Sequence, residues 1–210
     1  MPLSYPILLD VADRLVVIVG GGRVAARKAA GLLSAGGRRV RCVSPAFCGE
    51  FPDGVERIVA RYADEYLDGA ALVFACTDDP AVNAAVVRDC RRRGIFVNRA
   101  DGDDAEPGDF STPAKFEAGG VIVTVSAGSP ALSAAIRDDL AAKLDRRFVA
   151  MASAMRLLRP EIRASRADIA VRARIFRDLA GEEALALLDA DGTEALRQWL
   201  LNRYPELKHG

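Results

Sequence analysis

The chain has 210 residues, half of them hydrophobic, with 29 Lys+Arg balancing 29 Asp+Glu for a formal net charge of zero. That balance argues against a general nucleic-acid binder, which carries a basic excess, but leaves room for a local basic pocket around an anionic small molecule. No apolar run approaches the roughly 18–20 residues that a membrane span needs, and the amino terminus, MPLSYPILLD, is too short for a signal peptide and lacks its basic region, so the reading is a soluble, cytoplasmic protein with no membrane and no nucleic-acid partner.

In chain order, the first element is a continuous apolar run at 15–19 (LVVIV), which stops at three glycines. A short β-branched run of this kind suits a strand buried on both faces of a parallel sheet. The pattern then turns alanine-rich and helical over 24–33, closed by Ala35-Gly36-Gly37. Further strands are expected at 40–43, 56–60, 71–76 and 95–98, with a helix at 80–93 whose first residue is Pro80. Strand and helix alternating in this way give an α/β domain with a parallel sheet and right-handed crossovers. The acidic stretch with Asp103, Asp104 and Glu106 reads as a solvated loop, with a metal-attracting edge as the alternative. A strand follows at 121–125, and Ser129-Pro130 opens a long helix on which Leu132, Ile136, Leu140, Leu144, Phe148, Met151 and Met155 recur at helical spacing. Beyond Pro160 the chain reads as a small helical region ending near Tyr204.

Chemistry is concentrated after the first strand. Gly20-Gly21-Gly22-Arg23-Val24-Ala25 matches G-x-G-x-x-G/A, with Ala25 in the third position. Gly20 permits the tight turn, Gly22 lets a pyrophosphate approach the backbone, and Ala25 lets helix and strand pack closely. The helix amino terminus offers unpaired N–H groups and the positive end of its dipole to phosphates. A lone match of this kind is weak, but strand before and helix after are the context that gives it meaning. The acid usual at the end of the second strand is replaced by Ser44-Pro45, so NAD and NADP are not separated by that rule. Arg41 stands nearby as a possible attractor of a 2′-phosphate. The four cysteines, Cys42, Cys48, Cys76 and Cys90, form no C-x-x-C pair and read as buried, reduced thiols. The single histidine, His209, stands one residue from the end, so no histidine-based metal site is expected within one chain and none is assigned.

Taken together, these motifs resemble the precorrin-2 dehydrogenase family, the dehydrogenase part of siroheme synthase. The run from Gly20 to Ala29 resembles G-G-G-x-V-A-x-R-K-A. Ala75-Cys76-Thr77-Asp78-Asp79 with Asn83 resembles A-x-T-D-D…N, and Val97-Asn98-Arg99-Ala100-Asp101 resembles V-N-V-x-D. Asp109 to Ala114 resembles D-F-x-x-P-A, and Val125-Ser126, Ser129 to Leu132 and Ile136-Arg137 resemble V-S-x-G-G-x-S-P-x-L…I-R. The likeness spans residues 5–145. It departs in two places: the turn at 126–129 is about two residues shorter than the family's, and Arg99-Ala100 replaces an apolar pair.

The resemblance implies an α/β fold with a Rossmann-like parallel sheet (1–112), a small α+β dimerisation region (113–148) and a helical C-terminal domain (149–210). It implies oxidation of precorrin-2 to sirohydrochlorin with NAD as hydride acceptor, in a homodimer. Some members also insert ferrous iron, so a bifunctional dehydrogenase and ferrochelatase is an alternative, and a non-enzymatic NAD-sensing module is a third. Carried over, Arg23, Val24, Ser44 and Pro45 would line the dinucleotide together with Gly20 and Gly22, and Thr77 would stand near its nicotinamide end. Asp101 matches the family's key aspartate. Its place after a strand puts it at the carboxyl edge of the sheet, where ligands bind in open α/β folds, and a carboxylate there can act as general base. A loop acid capping a turn is the plain alternative. Lys115, Arg137 and the Arg91–Arg93 run are candidates for holding the carboxylates of the substrate. With no room for a methyltransferase after residue 145, the chain reads as a stand-alone dehydrogenase.

Overall fold

The computed structural model describes residues 5–102 and 106–209, so Asp103 and Asp104 of the acidic stretch lie outside the described residues. The chain divides into two compact units, Met1–Thr112 and Pro113–Gly210.

The first unit is built on five parallel strands: β1 (Leu15–Val19), β2 (Arg39–Ser44), β3 (Glu56–Val59), β4 (Ala70–Ala75) and β5 (Phe96–Arg99). They stand in the order β3-β2-β1-β4-β5, so the strand order reverses at β1, the switch point at which open α/β sheets bind ligands. The apolar runs serve two faces at once. Val16, Ile18, Cys42 and Phe74 pack with Ala25, Ala29 and Leu32 of α1 (Arg23–Ser34). Val17, Val19, Val73, Ala75 and Val97 pack on the other face with Val86, Val87 and Cys90 of α2 (Pro80–Arg93). Ala25 and Ala29 are fully buried, and their small side chains let α1 lie close to the sheet. Asp79 caps α2 by accepting from the Ala81 and Val82 N–H groups, and Gly94, at φ +68°, closes it in the left-handed conformation.

The second unit opens with an antiparallel hairpin, β6 (Ala114–Ala118) and β7 (Val121–Val125), joined by Gly119-Gly120 at φ +56° and +90°. Both residues occupy the positive-φ region that two-residue hairpin turns favour. Four helices follow: α3 (Pro130–Lys143), α4 (Arg146–Ala164), α5 (Ile169–Leu179) and α6 (Glu182–Arg203). α6 is interrupted at Gly192, which takes φ +80°. Met151, Leu158, Ile162, Ile175, Leu179, Leu185, Leu196 and Leu200 form the core of this helical part.

The single long helix expected from 130 onward is in fact two. Leu144 adopts extended backbone at φ −66°, ψ 121°, and the Asp145 carboxylate accepts from the Arg147 N–H at 2.9 Å, starting α4 afresh. Strand β6 escaped the sequence reading because AKFEA carries one strong strand former; its intermediate and exposed residues alternate, as do those of its partner β7. Among the described residues no helix is long and apolar enough to cross a membrane.

Candidate functional site

The carboxyl ends of β1, β2, β4 and β5 meet at one edge of the first unit. Just past β1 the chain turns at Gly20, whose N–H donates to the Val43 carbonyl at 2.9 Å, while the Cys76 N–H donates to the Val19 carbonyl at 2.8 Å. The three glycines meet different surroundings. A Cβ on Gly20 would stand 2.5 Å from the Cys76 carbonyl oxygen, and φ is +134°. A Cβ on Gly21 would stand 1.9 Å from the Ala46 carbonyl oxygen. A Cβ on Gly22 would meet nothing within 4 Å. Gly20 and Gly21 are thus demanded by the fold, whereas Gly22 opens onto free space.

Gly22 is also the N-cap of α1. No side chain caps this helix, and no acid stands in its first turn. Arg23 and Val24 are exposed on that turn. The amino end of α1 therefore presents backbone donors and the positive end of its dipole to an open space bordered by glycine, which is the environment a phosphate group needs.

Ser44 ends β2, buried, with its hydroxyl donating to the Ala46 carbonyl at 2.7 Å; Pro45 beside it is exposed. Arg41 points into the sheet's own contacts, donating to Glu56 at 2.9 Å and to the Tyr66 carbonyl at 3.3 Å. No carboxylate ends the second strand, and the Arg41 guanidinium is engaged by Glu56 and Tyr66.

At the other side of β1, Thr77 follows β4 and is locked to Asn83 of α2. The Thr77 N–H and hydroxyl approach Asn83 Oδ1 at 3.1 and 2.8 Å, and Asn83 Nδ2 donates back to the Thr77 carbonyl at 3.0 Å. The same Nδ2 donates to Asp101 Oδ2 at 2.8 Å. Asp101 also receives both arms of the Arg99 guanidinium: Nε to Oδ1 at 2.7 Å and Nη2 to Oδ2 at 3.0 Å. Thr77, Asn83, Arg99 and Asp101 thus form one hydrogen-bonded chain across the ends of β4 and β5. The sequence reading singled out Thr77 and Asp101; it noted Asn83 only as part of a motif, and Arg99 only as a departure.

Charge at this edge is shaped by burial. Lys28 of α1 lies over the Phe74 ring, 5.4 Å from its centroid, and contacts Thr112. Burial lowers its ammonium below the ordinary lysine value, with Cys76 opposing and Arg27 adding to the shift. Burial pushes the Cys76 thiol up to about 11, against the pull of Lys28 and Arg27, and Asp101 adds to the rise. Cys76 is therefore a protonated thiol near neutral pH and is not a nucleophile at this edge.

The other expected cations are engaged elsewhere. Arg91 donates to the Pro107 carbonyl, Arg92 pairs with Asp89 and Asp64, and Arg93 with Asp64 and Asp68. Lys115 pairs with Glu117, Arg137 with Asp138, and Glu106 of the acidic stretch with Arg88.

A family model described as NAD(P)-binding matches residues 7–114, just over half of the chain. The chain belongs to this NAD(P)-binding family. The matched residues include the whole glycine turn, α1 and the Thr77–Asp101 network. Over nearly its whole length, the chain is 35% identical over 199 residues to a siroheme synthase of Chromobacterium violaceum, covering 91% of this chain and 42% of that protein. It is 31% identical over 210 residues to siroheme synthase 2 of Aeromonas hydrophila, covering 97% of this chain and 44% of that protein. The chain thus spans less than half the length of these curated relatives. Among solved structures, SirC, precorrin-2 dehydrogenase, superposes over 96% of this chain and 100% of its own, with TM-score 0.77 and 22% identity. The fold of the chain is therefore a known one.

Proposed function

We propose that this protein oxidises precorrin-2 to sirohydrochlorin with NAD, using the sheet edge at β1, β4 and β5 as its active site. The observation that carries the reading is the open space beside Gly22, under an uncapped helix terminus, on the same sheet edge as the Asp101 carboxylate. One feature holds a dinucleotide and the other takes a proton, which are the two requirements of a dehydrogenation. The names of the two relatives and of the structural neighbour supply the substrate class, and the ordered motifs from Gly20 to Arg137 support it.

In this reading Gly20 shapes the turn and Gly22 admits the pyrophosphate. The exposed Arg23 and Val24 border it on the first turn of α1, and Ser44 and Pro45 shape the adenosine side. Because Ser44 spends its hydroxyl on the Ala46 carbonyl and the Arg41 guanidinium is already paired with Glu56, the end of β2 favours NAD over NADP. Thr77 borders the nicotinamide end. NAD supplies the hydride acceptor when bound. Asp101 accepts the proton released from the adjacent carbon, so that one substrate C–H leaves as hydride and the other as a proton, giving sirohydrochlorin, NADH and H⁺. We further infer a homodimer, supported by the exposed apolar row Leu132, Ile136 and Leu140 on α3.

Anaerobic absorbance of the protein with precorrin-2 and NAD tests the reading. NADH and sirohydrochlorin are expected with the wild type and are lost in Asp101→Ala. Turnover surviving in the variant would remove Asp101 from the chemistry. Absence of turnover with NAD still bound would make the protein an NAD-sensing module instead.

A further inference from the structure

We propose that Arg99 is a positioning residue for Asp101, gripping both carboxylate oxygens from within the fold and holding them in one orientation. The inference rests on the reading of Asp101 as proton acceptor.

Arg99 is buried, its side chain only 2% exposed, whereas that of Asp101 is 20% exposed. A buried guanidinium is costly unless its donors are matched, and here they are. Besides the two-armed grip on Asp101, Nη1 donates to the Glu106 carbonyl at 3.1 Å and Nη2 reaches the Pro80 carbonyl at 3.3 Å. The side chain therefore ties the end of β5 to the first residue of α2 and to the loop that follows Asp101. Bidentate pairing fixes the plane of a carboxylate as well as its place, which a single point charge does not do.

Asn83, fully buried, completes the frame by joining Asp101 to Thr77. An apolar residue at position 99 would leave the carboxylate without this grip. The grip has a chemical consequence, because a carboxylate facing a guanidinium is held ionised to lower pH and is a weaker base. Arg99 thus exchanges basicity for orientation. Among the described residues, the protonated Cys76 thiol just past β4 lies within electrostatic reach of Asp101. From α1, Lys28 and Arg27 act on the same thiol. From α2, Asp79 is spent on its own N-cap and Arg88 is paired with the Glu106 carboxylate.

Two measurements test the proposal. The first is the pH profile of precorrin-2 oxidation for wild type, Arg99→Met and Arg99→Lys. In Arg99→Met the acid limb is expected to rise by about one to two pH units. Its plateau kcat should fall roughly ten- to a hundredfold through lost orientation, with the KM for NAD unchanged. Arg99→Lys keeps the charge without the fork, so its limb should stay near wild type while its plateau falls. A merely structural role would lower activity equally at all pH values without moving the limb, and that result overturns the proposal. The second is carbon-13 carboxyl NMR of aspartate-labelled protein, with the Asp101 signal assigned through Asp101→Asn. Its titration midpoint should rise in folded Arg99→Met; an unmoved midpoint overturns the clamp. This readout needs no turnover, so failure of precorrin-2 oxidation in the wild type would refute the proposed activity while the NMR result still decides the role of Arg99.

Discussion

At Gly20 an added methyl group would press on the Cys76 carbonyl oxygen at 2.5 Å with φ at +134°, while two residues later, at Gly22, it would meet nothing. The two positions of one motif therefore separate stability from binding. Gly20→Ala is expected to cost about 2–3 kcal/mol, because strain at a positive φ is added to a backbone clash. Gly22→Ser should leave stability within about 0.5 kcal/mol, since serine is a good N-cap, while its hydroxyl takes the helix-terminal donors and the space meant for a pyrophosphate. Its NAD affinity should fall at least about tenfold, the discriminating factor for one lost charge-assisted contact. Thermal melts and calorimetric NAD titrations of both variants check this, and a Gly22→Ser protein that binds like wild type would remove the phosphate cradle from the reading. The glycines were legible because their spacing follows from turn geometry and close approach. Arg99 was not: in a strand reading it stands as an ordinary polar interruption of an apolar run, and only the fold shows that its side chain turns back under the sheet edge to meet Asp101.

Elements were legible where a pattern had one cause and illegible where two causes overlapped. β1, β2 and β4 are buried on both faces, and α2 carries proline at its start and glycine at its end, so each announces itself. The apolar residues from Leu132 to Met155 keep helical spacing straight through a break, because the spacing belongs to two different surfaces. Leu132, Ile136 and Leu140 are exposed, whereas Met151 is buried in the helical core. The break itself is written in a single side chain, Asp145, which accepts from the Arg147 N–H and pairs with the Arg147 guanidinium at 2.8 Å. Removing that cap by Asp145→Ala is expected to destabilise the second unit by about 1 kcal/mol, read as a lower midpoint in urea followed by circular dichroism. An unchanged midpoint would mean that packing around Leu144, and not the cap, sets where α4 begins.

At the scale of the whole molecule, the second unit presents surface that a single chain leaves uncovered. An isolated two-stranded hairpin is marginal in water, yet β6 and β7 pair only with each other among the described residues. α3 packs on both strands, while Leu132, Ile136 and Leu140, spaced by four, remain 52%, 36% and 45% exposed along one side of the helix, with Ile122 of β7 also exposed. Apolar positions recurring at i, i+4 and i+8 on one helix side are the pattern by which two copies of a helix pack on each other. A self-complementary surface of this kind is what a twofold dimer uses. Leu140→Glu introduces a charge at the end of that row, and in a dimer it would bring two like charges into a desolvated contact. Because Leu140 is exposed in the single chain, the substitution should alter the stability of the fold by no more than about 0.5 kcal/mol. Sedimentation velocity at micromolar concentration is expected to show a dimer for the wild type and a monomer for Leu140→Glu. A wild-type monomer, or a variant that remains dimeric, would assign the exposed row of α3 to something other than a second copy of this chain.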